Sequence, residues 1–385
     1  MKIEQLTLRQ FRNHTSLELR PYEGINLFFG KNGAGKTNIL EAIHYCALGR
    51  SHRVNNDHDV VMAGTEMAAC GCRVAAKNGR TDVIVKLTPA EKRKKTVFID
   101  QKKAERLSDL MGHLRCVIFS PEDLELIKEG PGTRRKFMDM MLSQINTSYF
   151  IALQEYKSYL EQKNSALREM KYGGSRDDGI LDIFDRKLSG LAEMITAERD
   201  NFTMMLSGEA ARIYRSISGD DEEKLSVTYQ SSVSGKSEDQ IYDLFVKGRD
   251  SDIRYGMTEA GPHRDDLLIR LNEKNMKVFA SQGQIRTAAL SIKLAELKVF
   301  ERVCGEPPVL LLDDVMSELD MERRLHLLDE IRHVQTFITC TDETDVQDEG
   351  MKQVYSILCD DGRACVRLTG SGESEAERFS EPVFD

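Results

Sequence analysis

Apolar and polar positions alternate through the first twenty residues. Leu6 and Leu8, then Leu17 and Leu19, are separated by polar neighbours, the two-residue period of half-buried strands. The apolar stretch Ile25 to Phe29 predicts a buried strand. From Thr37 the period lengthens: Ile39, Ala42, Ile43, Cys46 and Ala47 fall at helical spacing, and Gly49 is placed to end that helix. Residues Cys70 to Ile99 read as β again, with an Asn78-Gly79 pair that marks a hairpin. The stretch from about Arg134 to Ser218 changes to helical spacing in two segments. Leu181, Phe184, Leu188, Leu191 and Ile195 step by three and four, with Phe202 and Met205 in register. Leu153, Tyr156, Leu160, Leu167 and Met170 form a second stripe, and KYGGSRDDG between the two reads as a turn. This predicts a helical hairpin with legs of roughly 50 Å, either projecting as an arm or packed in a helical lobe. Beyond Thr258 come a strand (DLLIRL), a helix from Ser281 to about Val303, a strand (VLLLDD), a helix from Met321 to Arg332 and a strand (TFITC). The segment from Thr369 is rich in Gly, Ser and Glu, and fraying is expected there.

Composition adds limits. A chain of 385 residues, 40% hydrophobic and 30% charged, is long enough for two or three globular units. No apolar run approaches the ~18 residues of a membrane span and the start has no signal-peptide core, so a cytoplasmic protein is expected. Eight cysteines without a CxxC pair argue for reduced thiols rather than a metal site or disulfide framework. The net charge of -9 argues against nucleic acid until the charges are placed. Asp342 to Asp385 holds twelve acidic and four basic residues, leaving -1 for the rest, and Lys86 to Arg106 holds eight basic and three acidic residues.

The chemistry concentrates in three places. Residues Gly30, Lys31, Asn32, Gly33, Ala34, Gly35, Lys36 and Thr37 (GKNGAGKT) fit the phosphate-binding GxxxxGK[ST] loop, after a strand and opening a helix as that motif requires. The glycines let the backbone wrap phosphate oxygens, Lys36 reaches the β and γ phosphates of ATP, and Thr37 offers its hydroxyl to Mg²⁺. A second strand ends in Asp313, the expected Mg²⁺ partner, and Asp314, placed as a general base for water; two carboxylates there could also simply cap the next segment. Ser281 to Gln284 (SQGQ) has the form of a helix capping box. Alone it is only a helix start. Beside a phosphate loop, Ser281 and Gly283 make a second phosphate-grade helix N-terminus, which two facing subunits could lend to each other's ATP.

Together with QFRNH at 10 to 14, FSPEDL at 119 to 124, EGPGTRRKFMD at 129 to 139, GPHRDD at 261 to 266 and LLDDVMSELD at 311 to 320, these motifs resemble the RecF family of SMC-like ABC ATPase heads over nearly the whole chain. The resemblance implies an α/β fold, an ABC-type P-loop ATPase head. Its discontinuous mixed α/β lobe would comprise residues 1–130 and 276–385, with an inserted, mainly helical lobe at 131–275. It implies slow ATP hydrolysis, a head-to-tail ATP-dependent homodimer, and binding of single-stranded and duplex DNA at gaps or junctions. It further implies action with RecR and RecO to bring RecA to DNA during repair, replication restart and SOS induction. Carried over by position, Lys36, Thr37, Asp313 and Asp314 serve phosphate, metal and water. Ser281, Gly283 and Gln284 touch the partner's nucleotide, Arg12 and Asn13 lie near phosphates and ribose, and Asp320 belongs to a loop crossing the dimer interface. Departures are the lack of a Gln in FSPEDL and of a switch histidine after TFITC.

Two basic patches are candidate DNA contacts: Lys92, Arg93, Lys94, Lys95, Lys102 and Lys103, and a second at Arg134, Arg135 and Lys136, although a charge run is often only a solvated face. Three other functions remain open on sequence: the ATP-binding subunit of a membrane transporter, a small-molecule kinase, and a DNA-bound structural protein with a dead ATP site.

Overall fold

A computed structural model describes residues 1–90, 95–342 and 352–369. They divide into two units, Met1–Asp123 with Glu296–Asp385, and Leu124–Ala295. Lys92, Arg93 and Lys94, and the acidic tail from residue 370, lie outside the described residues.

The first unit begins with β1 (Lys2–Phe11), β2 (His14–Leu19), β3 (Ile25–Phe29), α1 (Lys36–Leu48), β4 (Ala68–Ala76), β5 (Gly79–Leu87), β6 (Lys95–Ile99), β7 (Lys102–Lys103) and β8 (Cys116–Phe119). The second carries α2 (Glu125–Lys128), α3 (Pro131–Ile145), α4 (Thr147–Lys171), α5 (Asp178–Ser218), β9 (Leu225–Gln230), α6 (Glu238–Tyr255), β10 (Asp266–Leu271), β11 (Lys274–Asn275) and α7 (Met276–Phe279). Helix α8 (Gln282–Cys304) returns the chain to the first unit, which ends with β12 (Val309–Asp313), α9 (Met321–Ile331), β13 (Thr336–Cys340), β14 (Lys352–Asp360) and β15 (Arg363–Leu368).

Two six-stranded sheets form the first unit. One is antiparallel, in the order β2-β1-β4-β5-β6-β7. The other runs β15-β14-β3-β13-β12-β8, with its five inner and far strands parallel and β15 antiparallel at the edge. Helix α1 packs against strands of both sheets. Sequence periodicity marked one apolar face on it, but Leu40, Tyr45 and Leu48 are buried too, as a helix between two layers requires. Its buried polar groups are matched. Glu41 accepts from Arg12 and Ser51, and His44 Nδ1 lies 3.0 Å from the Arg50 carbonyl. Gly49 ends the helix in the left-handed region, donating its N–H to Tyr45 at 2.8 Å. In the β4–β5 hairpin Ala76 pairs with Gly79, so the two-residue turn is Lys77-Asn78 and Gly79 opens the next strand at φ 123°.

In the second unit α4 and α5, of 25 and 41 residues, span about 37 and 61 Å at 1.5 Å per residue. A third helix, α6, packs along both, which makes the pair part of a three-helix group rather than a bare arm. Buried Lys163 on α4 holds them together, 2.8 Å from Asp185 on α5 and 3.1 Å from Asp252 on α6. The three-stranded sheet β11-β10-β9 completes the unit. Because β11 and α7 follow directly from β10 and pack on it, the SQGQ segment stays with this unit. The division falls inside α8, not before residue 276 as the sequence suggested.

Candidate nucleotide-binding site

Strand β3 delivers the chain into the glycine loop at the carboxyl edge of the parallel sheet, where ligands of such sheets bind. Gly30 turns at φ 153° and Gly35 at φ 111°. Both also have neighbours that exclude a side chain. A Cβ on Gly30 would stand 2.3 Å from the Ile357 carbonyl oxygen, and one on Gly35 would meet Asn13 Oδ1 at 2.5 Å and Ala364 Cβ at 3.0 Å. The β14–β15 hairpin therefore buttresses the outside of the loop, and the Ala364 N–H donates to the Asn13 carbonyl at 2.9 Å. Lys36 Nζ folds over the inside, donating to the carbonyls of Gly30 at 2.6 Å and Lys31 at 3.1 Å. Burial lowers its pKa, while the Asp314 and Asp313 carboxylates pull it back up.

Parallel pairing of β3, β13 and β12 brings three further groups to the same edge. Thr37 Oγ1 donates to Asp313 Oδ1 at 2.7 Å, and Thr339 Oγ1, from the end of β13, donates to the same oxygen at 2.7 Å. Thr339 in turn accepts from the Asp314 N–H, through its hydroxyl at 2.9 Å and its carbonyl at 3.2 Å. Asp314 sits at φ 54°, a left-handed conformation that costs a non-glycine residue about 1 kcal/mol or more and that clusters at functional sites. Thr37 hydroxyl and Asp313 carboxylate are hard oxygen donors beside a phosphate cradle. That set suits Mg²⁺, which takes one or two protein oxygens plus phosphate and water rather than a full protein cage. Thr339 carried no signal beyond ending an apolar strand, and sequence reasoning missed it.

Arg12 is placed differently from expectation. Its Nε and Nη2 bind both oxygens of buried Glu41 at 2.8 and 2.7 Å, and Nη1 donates to the Asp59 carbonyl at 2.5 Å. Its fork is spent on α1, because a buried carboxylate requires a cation. Asn13 is a scaffold for the loop: Nδ2 donates to the Ala34 carbonyl at 3.1 Å, and Oδ1 accepts from Asn38 at 2.8 Å. His14 joins it, Nε2 donating to the Gly35 carbonyl at 3.0 Å, and burial lowers its pKa. Asn13 and His14 thus brace the loop, and His14 was not foreseen.

In the second unit the capping box at Ser281 is formed. Ser281 N–H donates to Gln284 Oε1 at 2.8 Å and Gln284 N–H to Ser281 Oγ at 3.2 Å. Gln284 Nε2 donates to Glu223 at 2.6 Å, so the Gln284 side chain is engaged within its own unit. Ser281 and Gly283 are exposed. Asp320 caps α9, accepting from the Arg323 N–H at 3.0 Å.

The DNA candidates separate. Lys102 and Lys103 are exposed on the edge strand β7. Lys95 is tied down by the Gly49 carbonyl and by Asp57 at 3.0 Å, at the far end of α1. Arg134 is buried, its Nε and Nη2 on Asp266 at 2.6 and 3.0 Å and its Nη1 on two carbonyls. That removes Arg134 from the contact set, since its donors already close a fold contact. Arg135 is half-buried and donates to the Asp265 carbonyl at 2.7 Å.

Residues 2–364 match the family model "RecF/RecN/SMC N terminal domain". The chain is 41% identical over 350 residues to the DNA replication and repair protein RecF of Ruminiclostridium cellulolyticum, covering 89% of this chain and 93% of that protein. The chain belongs to the RecF family. The RecF of Listeria monocytogenes serotype 4b is 40% identical over 369 residues, with 94% and 99% covered. Among solved structures, the recombination mediator protein RecF-ATP in the RecFOR pathway superposes with a TM-score of 0.86 at 34% identity, over 95% of this chain and 97% of that one. An Smc head bound to the C-winged helix domain of ScpA superposes at 0.57 with 15% identity over 96% and 97%, a likeness of fold alone. The fold is therefore the ABC-type ATPase head that the motifs implied. A transporter subunit is not favoured by relatives named for DNA replication and repair, and no helix among the described residues is long and apolar enough to cross a membrane.

Proposed function

We propose that this chain is an ATP-switched DNA-binding protein of recombinational repair, replication restart and SOS induction. It binds ATP, dimerises head to tail on it, hydrolyses it slowly with stimulation by DNA, and acts with RecO and RecR to load RecA at single-strand gaps and duplex junctions. The observation that carries the reading is the convergence of the Thr37 and Thr339 hydroxyls on one Asp313 carboxylate oxygen, at the same sheet edge as Lys36 and the glycine loop, which suits a metal-bound triphosphate.

In this reading the glycine-loop amides and the α1 dipole cradle the phosphates, and Lys36 leaves the Gly30 and Lys31 carbonyls for the β and γ oxygens. Thr37 and Asp313 would hold Mg²⁺, which when bound neutralises charge between the β and γ phosphates. Asp314 accepts the proton of the attacking water. Asp is one methylene shorter than Glu, so turnover is slow, and a steady state of tens per second would refute that assignment. Ser281 and Gly283 meet the partner's nucleotide. Lys102 and Lys103 contribute phosphate contacts, with Lys92, Arg93, Lys94 and Arg135 as further candidates.

Light scattering with ATP, without nucleotide and with Ser281→Arg tests the shared site. Dimer is expected with ATP in the wild type alone. A monomer with ATP refutes the mechanism.

A further inference from the structure

The SQGQ capping box has a support that no motif predicts. Glu223, just beyond the C-terminus of α5, accepts from Gln284 Nε2 at 2.6 Å through one oxygen and from the Tyr214 hydroxyl at 2.7 Å through the other. Tyr214 lies in the last turns of α5 and is fully buried. The loop around Glu223 is itself fixed. The Glu223 N–H donates to the Asp220 carbonyl at 3.3 Å, and the Lys224 N–H donates to Asn272 Oδ1 at 2.8 Å in the turn before β11.

An ionised carboxylate only accepts hydrogen bonds, whereas a primary amide donates at one end and accepts at the other. Glu223 thereby forces the NH₂ end of Gln284 toward itself and turns Oε1 to the Ser281 N–H. With the box closed, Ser281 Oγ accepts the Gln284 N–H and its own hydrogen remains available to an incoming anion. From this geometry we infer that Glu223, braced by Tyr214, is a positioning residue that presents the Ser281 hydroxyl to the nucleotide of the facing subunit and ties that presentation to the end of α5. This rests on the shared-site reading above. Residues further along α5 then reach the nucleotide through one hydrogen-bonded chain, Tyr214 to Glu223 to Gln284 to Ser281.

The test measures, by light scattering, the ATP concentration that half-saturates dimerisation, together with ATP affinity of the monomer at high dilution and thermal melting. Glu223→Ala removes a charge-assisted hydrogen bond and is expected to raise the half-saturating concentration about tenfold. Monomer ATP affinity should stay within about twofold, since the P-loop is untouched. Glu223→Gln, which can still accept from Gln284 but no longer dictates its orientation, should shift it about threefold, and Tyr214→Phe by a similar amount. Wild-type dimerisation by Glu223→Ala overturns the inference. So does a loss in Glu223→Gln and Tyr214→Phe that tracks melting temperature alone. Ser281→Arg serves as the control on the reading beneath: if it dimerises normally the shared site fails, whereas if it stays monomeric and Glu223→Ala does not differ from wild type, only the positioning role fails.

Discussion

Thr339→Val isolates the hydrogen-bond system at the sheet edge. Valine keeps the shape of threonine and deletes one hydroxyl, which donates to Asp313 at 2.7 Å and accepts from the Asp314 N–H at 2.9 Å. Neither partner is left bare: Asp313 keeps the Thr37 hydroxyl and the Asp314 N–H keeps the Thr339 carbonyl at 3.2 Å. The loss is thus about 2 kcal/mol, the worth of one hydrogen bond to a charged group rather than of an orphaned carboxylate. If both carboxylates must hold their positions in the transition state, that converts to roughly a 30-fold fall in kcat. KM should move little, because in the proposed reading the phosphates are held by Lys36 and the loop amides, which the substitution does not touch. Steady-state phosphate release at saturating Mg-ATP reads the effect, with Thr339→Ser within about threefold of wild type as the control. A Thr339→Val protein within twofold of wild-type kcat, alongside an inactive Asp313→Ala, would show that Thr339 only fills the core.

Asp314→Gly should abolish hydrolysis yet raise the melting temperature by a few degrees, because glycine takes φ 54° without strain; a lowered melting temperature counts against stored strain there. Gly30→Ala should eliminate nucleotide binding, since its Cβ would overlap the Ile357 carbonyl, and near-normal binding in a fluorescent-nucleotide titration contradicts the buttress. Lys163→Met leaves buried Asp252 without its cation, while Asp185 keeps Arg249 at 2.8 Å. It should cost the helical unit ~3 kcal/mol, about 6 to 12 °C in melting temperature, and a shift under 2 °C contradicts it. Burial pushes His263 down to about 4 from 6.5, so its neutral form belongs to the folded state. Stability is full above about 6.5 and falls as pH drops toward 4. His263→Gln should flatten that part of a urea-midpoint profile, and an unchanged slope argues against it.

Local pattern sufficed for what is local. The GKNGAGKT loop, the strand ending in Asp313, the cap at Gly49 and the Ser281–Gln284 box each need only a few consecutive residues, and each forms where spacing predicts. What escaped depends on partners far along the chain. Arg12 looks like a free cation beside a phosphate loop until Glu41 is found buried opposite it, and Arg134 looks like a DNA contact until Asp266, 132 residues on, takes both ends of its fork. Thr339 and Glu223 are ordinary in sequence, since their roles come from strand pairing and helix packing. The helical pair read as a possible arm because α6, with its own amphipathic pattern, is a partner that periodicity in α4 and α5 cannot name.

The placement of β3 also bears on how the protein comes off the ribosome. This strand, which ends where the glycine loop begins, is flanked on one side by β13 and on the other by β14, both made from residues beyond 335. A nascent chain displaying GKNGAGKT therefore lacks both neighbours of its supporting strand until some 300 further residues have been synthesised. Partial chains therefore carry the motif without the two strands that hold β3 in the sheet, and the loop gains its support only once the last strands are made.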